Sequence, residues 1–108
     1  MVASMIQFSY KPETLGKLVK NPEDRSLAVK QLIEKLGGRM VAFYYSYGEY
    51  DGLVIAELPD HISQLATILT SFSAGSLTNI KTTVLITVQD AMAAMKKAQG
   101  LTLPQPRG

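Results

Sequence analysis

The residues of this chain that could do chemistry are concentrated in one short run. Four of the five tyrosines lie between positions 44 and 50, and Asp51 follows them directly. Phenol hydroxyls can orient a ligand or stabilise an oxyanion, and a carboxylate among aromatic rings can act as a general base with a raised pKa. A β-hairpin needs only one aromatic pair to set its register. The remaining tyrosines therefore predict a functional site at this hairpin.

Asp51 and two of the tyrosines each have a structural interpretation as well. Asp51 can cap backbone N–H groups of the turn or pair with Arg25, instead of serving as a base. Tyr44 and Tyr50 can be cross-strand aromatic pairs that need no ligand, and Tyr45 is interpreted as packing. Both interpretations stay open for Asp51 and Tyr44.

Three further charged residues are candidates for binding. Arg25 borders the apolar stripe of a predicted helix, while Glu57 and Lys81 lie on predicted strands. The two cations could hold an anionic ligand, or they could form ion pairs at the sheet edge. His61 is the only histidine, and a surface position is expected for it because it has no second imidazole for a metal site.

No established catalytic or cofactor motif is present. The glycines at 37–38 and at 48 lack the Gly-x-x-x-x-Gly-Lys spacing of a phosphate loop, and no zinc, dinucleotide or Ser/His/Asp pattern occurs. No cofactor and no metal are therefore expected.

Composition indicates one globular domain. The chain has 108 residues and 46% hydrophobic residues, enough for a core but too few to divide. Cysteine is absent, which fits a cytoplasmic protein, and no apolar run approaches the about 20 residues of a membrane span. Three of the 11 basic residues lie beyond position 95, which leaves 8 against 9 acidic residues before it. Without a concentrated basic face, nucleic acid is not expected as a partner.

The first half of the chain predicts a strand and a helix. Residues 5–10 alternate apolar and polar side chains, as in a half-buried strand, and residues 13–20 predict a short helical turn. Asn21-Pro22 is typical of a helix start, and Gly37-Gly38 is typical of a helix end. The predicted buried stripe of this helix is Ala28, Val29, Leu32, Ile33 and Leu36.

The middle of the chain predicts the hairpin and a second long helix. Strands are expected over 39–47 and 50–58, joined at Gly48-Glu49 by a two-residue type II′ turn. Asp60 is the expected cap of the following helix, which ends at Gly75. Its predicted buried stripe is Ile62, Leu65, Ala66, Leu69 and Phe72.

A last strand over 77–88, a short helix over 89–98 and a flexible tail over 99–108 complete the chain. The order predicts an α+β, ferredoxin-like βαββαβ fold. Two helices would cover one face of a four-stranded antiparallel sheet, with a short helix added at the C-terminus. Residues 1–98 are expected to form this single domain.

The predicted register separates the hairpin side chains between the two faces of the sheet. The more apolar face is assigned to the helices and carries Phe43, Tyr45, Tyr47, Tyr50, Gly52, Val54 and Ala56. The open face carries Ala42, Tyr44, Ser46, Asp51, Leu53, Ile55 and Glu57, together with Gln7, Ser9, Lys81 and Thr83 of the outer strands. Exposed apolar side chains on an open face indicate an association surface. We therefore expect a homodimer or higher homo-oligomer, with a cavity between paired sheets lined by Tyr44, Asp51, Glu57 and Lys81.

Several segments resemble the GYD domain family. They are Leu36-Gly37-Gly38, Phe43-Tyr44, Gly48-Glu49-Tyr50-Asp51 and the run from Ile55 to Asp60. Glu49 stands between the Gly and the Tyr, so the match is to Gly-x-Tyr-Asp. A later segment with Gly75, Asn79 and Thr82, and the early Arg25, are similar as well.

The resemblance implies a small bacterial or archaeal protein of ferredoxin-like fold, akin to dimeric α+β barrel proteins, with no established activity to transfer. Three functions remain open. The first is binding of a small organic or anionic molecule through Tyr44, Tyr50, Asp51, Glu57, Lys81 and Arg25. The second is a cofactor-independent oxygenase or isomerase with Asp51 as base, and the third is an assembly module without a ligand.

Overall fold

The computed structural model describes residues 1–108. Four strands and four helices follow one another along the chain. In order they are β1 (Val2–Tyr10), α1 (Pro12–Lys20), α2 (Ser26–Lys35), β2 (Arg39–Tyr45), β3 (Gly52–Leu58), α3 (His61–Ser73), β4 (Leu77–Leu85) and α4 (Val88–Ala98).

The four strands form one antiparallel sheet in the order β2-β3-β1-β4. β1 is hydrogen-bonded on both sides, and Ile6 lies opposite both Val54 of β3 and Thr82 of β4. The predicted ferredoxin-like α+β fold is therefore confirmed.

Alternation along the two inner strands builds the core. In β1 the side chains of Ile6, Phe8 and Tyr10 are buried, while their neighbours are only half-buried. This period of two puts one row of side chains under the helices and the next row on the open face. The main cluster of buried apolar side chains is small and consists of Phe8, Tyr10, Ile33, Val54, Ala56 and Leu58.

Helix α2 ends where the sequence predicts but begins later. Gly38 N–H bonds to the Ile33 carbonyl and Gly37 N–H to that of Glu34, both at 2.9 Å. With Gly37 at φ 80°, this is a Schellman ending that favours glycine. The start predicted at Asn21-Pro22 is wrong, because the helix begins at Ser26. There the Asp24 carboxylate accepts the Ser26 N–H at 2.9 Å and so competes with an earlier start.

Helix α3 has the predicted cap but the opposite orientation. Asp60 accepts the Ser63 N–H at 2.8 Å, as an N-cap does. The predicted buried stripe is wrong, since Ile62 is 82% exposed and Leu69 60% exposed. The buried side chains of α3 are instead the polar Gln64 and Thr67.

The polar side of α3 tolerates burial because its hydroxyls bond within the helix. The Thr67 hydroxyl donates to the Ser63 carbonyl at 2.9 Å, and the Ser71 hydroxyl donates to the Thr67 carbonyl at 2.7 Å. A buried hydroxyl costs stability mainly when it lacks a partner. These bonds remove that cost, so the helix can turn its apolar stripe outward.

The hairpin connection is longer than the two-residue turn expected at Gly48-Glu49. β2 ends at Tyr45 and β3 begins at Gly52, and Tyr47 has a left-handed φ of 44°. The Ser46 N–H still donates to the Asp51 carbonyl at 2.9 Å, while the Asp51 N–H donates to the Phe8 carbonyl of β1 at 2.9 Å. Asp51 is therefore hydrogen-bonded on both sides, and residues 47–50 form the turn.

Gly38 and Gly16 give a matched test of this packing. A Cβ at Gly38 would lie 2.4 Å from the Glu57 carbonyl oxygen, whereas one at Gly16 would meet nothing within 4 Å. Gly38→Ala should lower the free energy of unfolding by about 1–3 kcal/mol, as overpacking does. Gly16→Ala should raise it by about 0.5–1 kcal/mol, because alanine is the better helix former. Urea unfolding checks both, and equal effects of the two substitutions would contradict the packing described.

Candidate functional site

A cavity of about 300 Å³ lies between the sheet and the two helices α2 and α3. It forms because α2 packs over β2 while α3 packs over β4, so the central strand β1 faces the gap between them. Its volume is at the lower end of the range of small-molecule sites. Most of its lining is apolar and includes Phe8, Val29, Ile33, Phe43, Val54 and Ile80.

Arg25 brings a cation to this cavity. It stands directly before α2, at the N-cap position, and lines the cavity with a side chain that is 40% exposed. Its only ion-pair partner is the Glu23 carboxylate at 3.8 Å, which is itself exposed. Such a pair contributes little, so the guanidinium retains donors for an anion.

Tyr10 also lines this cavity. Burial, followed by the hydrogen bond with Tyr45, raises the pKa of Tyr10 above its ordinary value, and the positive charge of Arg25 only partly offsets this. The two hydroxyls are 3.5 Å apart. Tyr10 therefore stays protonated near neutral pH and can donate a hydrogen bond.

The other tyrosines on the helix side form an aromatic stack. Tyr45 lies parallel to Tyr47 at 5.5 Å between ring centroids and edge-on to Phe43 at 5.4 Å. These are the geometries that aromatic rings favour in packing. The packing role expected for Tyr45 agrees with these contacts.

Asp51 serves as a structural tie between the hairpin and β1. Its carboxylate accepts the Tyr10 N–H at 2.9 Å, while its own N–H donates to the Phe8 carbonyl at 2.9 Å. It does not pair with Arg25, and the N–H group that it binds belongs to β1 rather than to the turn. A charged acceptor on a main-chain donor is a strong hydrogen bond, which accounts for the residue without a ligand.

The open-face candidates do not converge on one point. Tyr44 is 64% exposed, and the register runs from it through Leu53 and Gln7 to Lys81. Tyr44 and Lys81 are therefore three strand spacings apart, which is about 14 Å. Glu57 lies on another row, where it pairs with Arg39.

Tyr50 is also away from that row. It is half-buried in the hairpin connection, and its carbonyl accepts the Ser46 hydroxyl at 2.8 Å. Of the six sequence candidates, only Arg25 lines the cavity.

The sequence interpretation missed Tyr10 and the inner hydroxyls of α3 as cavity residues. The cavity is lined by Thr67, Thr70 and Ser71 in addition to the apolar side chains. A signal was available, because Gln64, Thr67 and Ser71 recur at helical spacing and mark a polar side of α3.

No three His, Asp or Glu side chains are grouped so as to hold a metal ion. The helices fall short of the length and hydropathy that a bilayer crossing requires.

Comparison with protein-family profiles shows which family the chain belongs to. The GYD domain profile matches residues 5–95. The chain belongs to the GYD domain family. The sequence resemblance is thus confirmed. A comparison with curated proteins finds no significant match for this GYD protein.

Solved structures share its fold at low identity. MtbAldR matches with a TM-score of 0.58 and 16% identity, over 80% of this chain and 52% of that one. The GYD chain thus spans about half the length of MtbAldR. TTHA0845 from Thermus thermophilus matches with a TM-score of 0.52 and 18% identity, over 82% of this chain and 96% of that one. FFRP-DM1 matches with a TM-score of 0.50 and 21% identity, over 80% of this chain and 100% of that one. These likenesses show the fold alone.

Removing the Asp51 carboxylate tests its structural role. Asp51→Ala should lower the free energy of unfolding by about 1.5–3 kcal/mol, the usual effect of losing a hydrogen bond to a charged group. Asp51→Asn keeps a hydrogen-bond acceptor and should lower the free energy of unfolding by less. Glu49→Ala, in the same connection but exposed, is the control in urea unfolding. Equal stability of the Asp51→Ala and wild-type chains would contradict the tie to β1.

Proposed function

We propose that this GYD protein binds a small organic molecule with an apolar body and an anionic end, in the cavity between the sheet and helices α2 and α3. One observation supports this most directly. A cavity lined mainly by apolar side chains has Arg25 and Tyr10 among its lining residues. An apolar enclosure with a few polar groups is the general form of a small-molecule site.

The size of the cavity restricts the ligand. A volume of about 300 Å³ equals that of about ten water molecules at about 30 Å³ each. This suits a molecule with one aromatic ring or a short aliphatic chain and one acidic group. Its body would displace water from the apolar wall formed by Phe8, Phe43 and Ile80.

The two polar groups define the acidic end. Arg25 can donate two parallel hydrogen bonds to a carboxylate, and the protonated Tyr10 can donate a third. Because Tyr10 remains neutral, its hydroxyl does not repel the anion. A monocarboxylic acid is therefore the class of ligand that we favour.

We propose that the protein binds this molecule without reacting with it. The sequence candidate for a general base, Asp51, holds the Tyr10 N–H at 2.9 Å. Its contacts are those of a structural carboxylate, so binding is the better-supported role.

The open face of the sheet supports a proposal of its own, which is pairing of two copies. Met5, Leu53 and Ile55 occupy its centre, with the Arg39–Glu57 pair at one margin. An apolar centre with a polar margin is the usual anatomy of an interface. A second ligand cavity between paired sheets, near the exposed Tyr44, remains a prediction from the sequence.

Phenylacetate and its neutral amide, phenylacetamide, test the ligand class. Calorimetric titration should show that Arg25→Gln weakens phenylacetate binding by about tenfold or more, since hydrogen bonds to charged groups contribute about 1.5–3 kcal/mol. Binding of phenylacetamide should change little. Lys17→Gln removes a nearby cation that does not line this cavity and should leave both affinities unchanged.

A second variant tests the location. Ser71→Leu places a larger side chain into the cavity and should abolish phenylacetate binding without unfolding the chain. Full affinity in Ser71→Leu, or in Arg25→Gln, would show that this cavity is not the site.

Sheet pairing is tested at Leu53. A lysine there places a charge at the centre of the open face, so Leu53→Lys should reduce the molar mass measured by light scattering. Gln31→Lys adds the same charge on the exposed side of α2 and should not reduce it. An unchanged mass in Leu53→Lys would count against sheet pairing and would leave the ligand proposal intact.

A further inference from the structure

The outward side of α3 carries a continuous apolar surface. We call it the outer α3 stripe, and it consists of Ile62, Leu65, Leu69 and Phe72, all exposed. The chain has no Asp, Glu, Lys or Arg between Asp60 and Lys81, so no charge interrupts this side of the helix. An exposed helix normally turns a charged or polar side to water. The stripe therefore has the composition of a surface that packs against protein.

Helix α4 carries the second unpartnered apolar surface. Val88, Met92 and Met95 recur at helical spacing and are exposed, with Met95 at 67%. Of its 11 residues only Ala91 is even half-buried. We call α4 with its connection to β4 the arm, because it extends from the body without packing on it.

The chain exposes more surface than a compact domain of its length. Its radius of gyration is 17.7 Å, against about 13 Å for a compact domain of this length. Its accessible surface is 7961 Å² at a mass of 11.8 kDa, whereas a folded monomer of that mass exposes about 5,900 Å². The surplus of about 2,000 Å², to which the exposed residues 99–108 also contribute, exceeds the about 800 Å² that each partner contributes to a standard interface.

The arm cannot cover the stripe of its own chain. Only residues 86 and 87 connect β4 to α4, and the step from Leu85 to Val88 spans at most about 10 Å. The stripe is the side of α3 that points away from the sheet, and a second helix packed on it would have its axis a further 8–10 Å from the axis of α3. Such a helix lies beyond the reach of the connection. The arm can therefore reach the stripe of another chain only.

We infer that the arm of one copy packs along the outer α3 stripe of a second copy. The two surfaces are complementary in kind, since each is one apolar side of a helix and their 11 and 13 residues are similar in length. In an antiparallel arrangement Lys96 and Lys97, at the end of α4, lie near Asp60, at the start of α3. That places opposite charges at the margin of an apolar contact.

This contact is separate from sheet pairing. The stripe is on the outer side of the helix layer, and the open face is on the other side of the sheet. One chain can therefore engage different copies through the two surfaces. Sheet pairing can be absent while the arm contact forms, and the arm contact can be absent while the sheets pair.

Light scattering on the full chain, with single lysine substitutions, tests the arm contact. Leu69→Lys in the stripe and Met92→Lys in the arm should each lower the molar mass to half or less of the wild-type value. Ala93→Lys, on the opposite side of α4, and Gln31→Lys on α2 are matched controls that should retain it. Circular dichroism should be unchanged in all four, since these side chains are not in the core.

Mixing the two variants identifies which surfaces meet. The Leu69→Lys chain has an intact arm and the Met92→Lys chain has an intact stripe. An equimolar mixture should therefore regain mass that neither regains alone. Contacts between two arms or between two stripes would not show this recovery.

The results separate the proposals. A wild-type mass of 11.8 kDa, full mass in both Leu69→Lys and Met92→Lys, or no recovery in the mixture would each overturn the arm contact. Loss of mass in Leu53→Lys alone would assign assembly to the sheets and not to the arm.

Discussion

The two-sided pairing of β1 is the constraint on which the rest of the structure depends. This strand is hydrogen-bonded to β3 along one edge and to β4 along the other. Its period of two sends Ile6, Phe8 and Tyr10 towards the helices and their neighbours towards the open face. The position of the helices over the outer strands then leaves β1 as the floor of the cavity. Asp51 adds to this pairing at the end of the strand, where its carboxylate accepts the Tyr10 N–H and its own N–H donates to the Phe8 carbonyl.

A small core follows from that arrangement. The main buried apolar cluster contains six residues, while apolar side chains of α3, α4 and the sheet remain exposed. Small domains bury a lower fraction of their surface than large ones, and association is one way to complete a core. Much of the apolar surface of the chain is thus exposed, in separate patches that face different sides of the molecule.

Local sequence rules predicted the helices and strands better than they predicted the contacts between them. The strands follow from alternation, the end of α2 from Gly37 and Gly38, and the cap of α3 from Asp60, because each depends on a few neighbouring residues. The Asp51–Tyr10 hydrogen bond joins residues 41 positions apart, and no local pattern indicates it. The late start of α2 depends on a choice between Asn21 and Asp24 as the acceptor, which residue types alone do not decide.

The predicted orientation of α3 was wrong for a different physical reason. Periodicity identifies an apolar side of a helix, and the usual assumption is that this side faces the core. In α3 the hydroxyls of Thr67 and Ser71 bond to the carbonyls of their own helix, so the polar side can face the sheet at low cost. The sequence did not indicate the cavity for the same reason, because the cavity lies beneath that polar side.

Those internal bonds have a thermodynamic consequence. Because the Thr67 and Ser71 hydroxyls are bonded within α3, they make no bond that fixes the helix to the strands below. The same helix forms a wall of the cavity on its inner side and the stripe on its outer side. A ligand and a neighbouring copy would then contact one element from opposite sides, and their binding free energies are coupled where either of them shifts this helix. Such coupling is reciprocal: whatever factor the ligand applies to association, association applies to the affinity for the ligand.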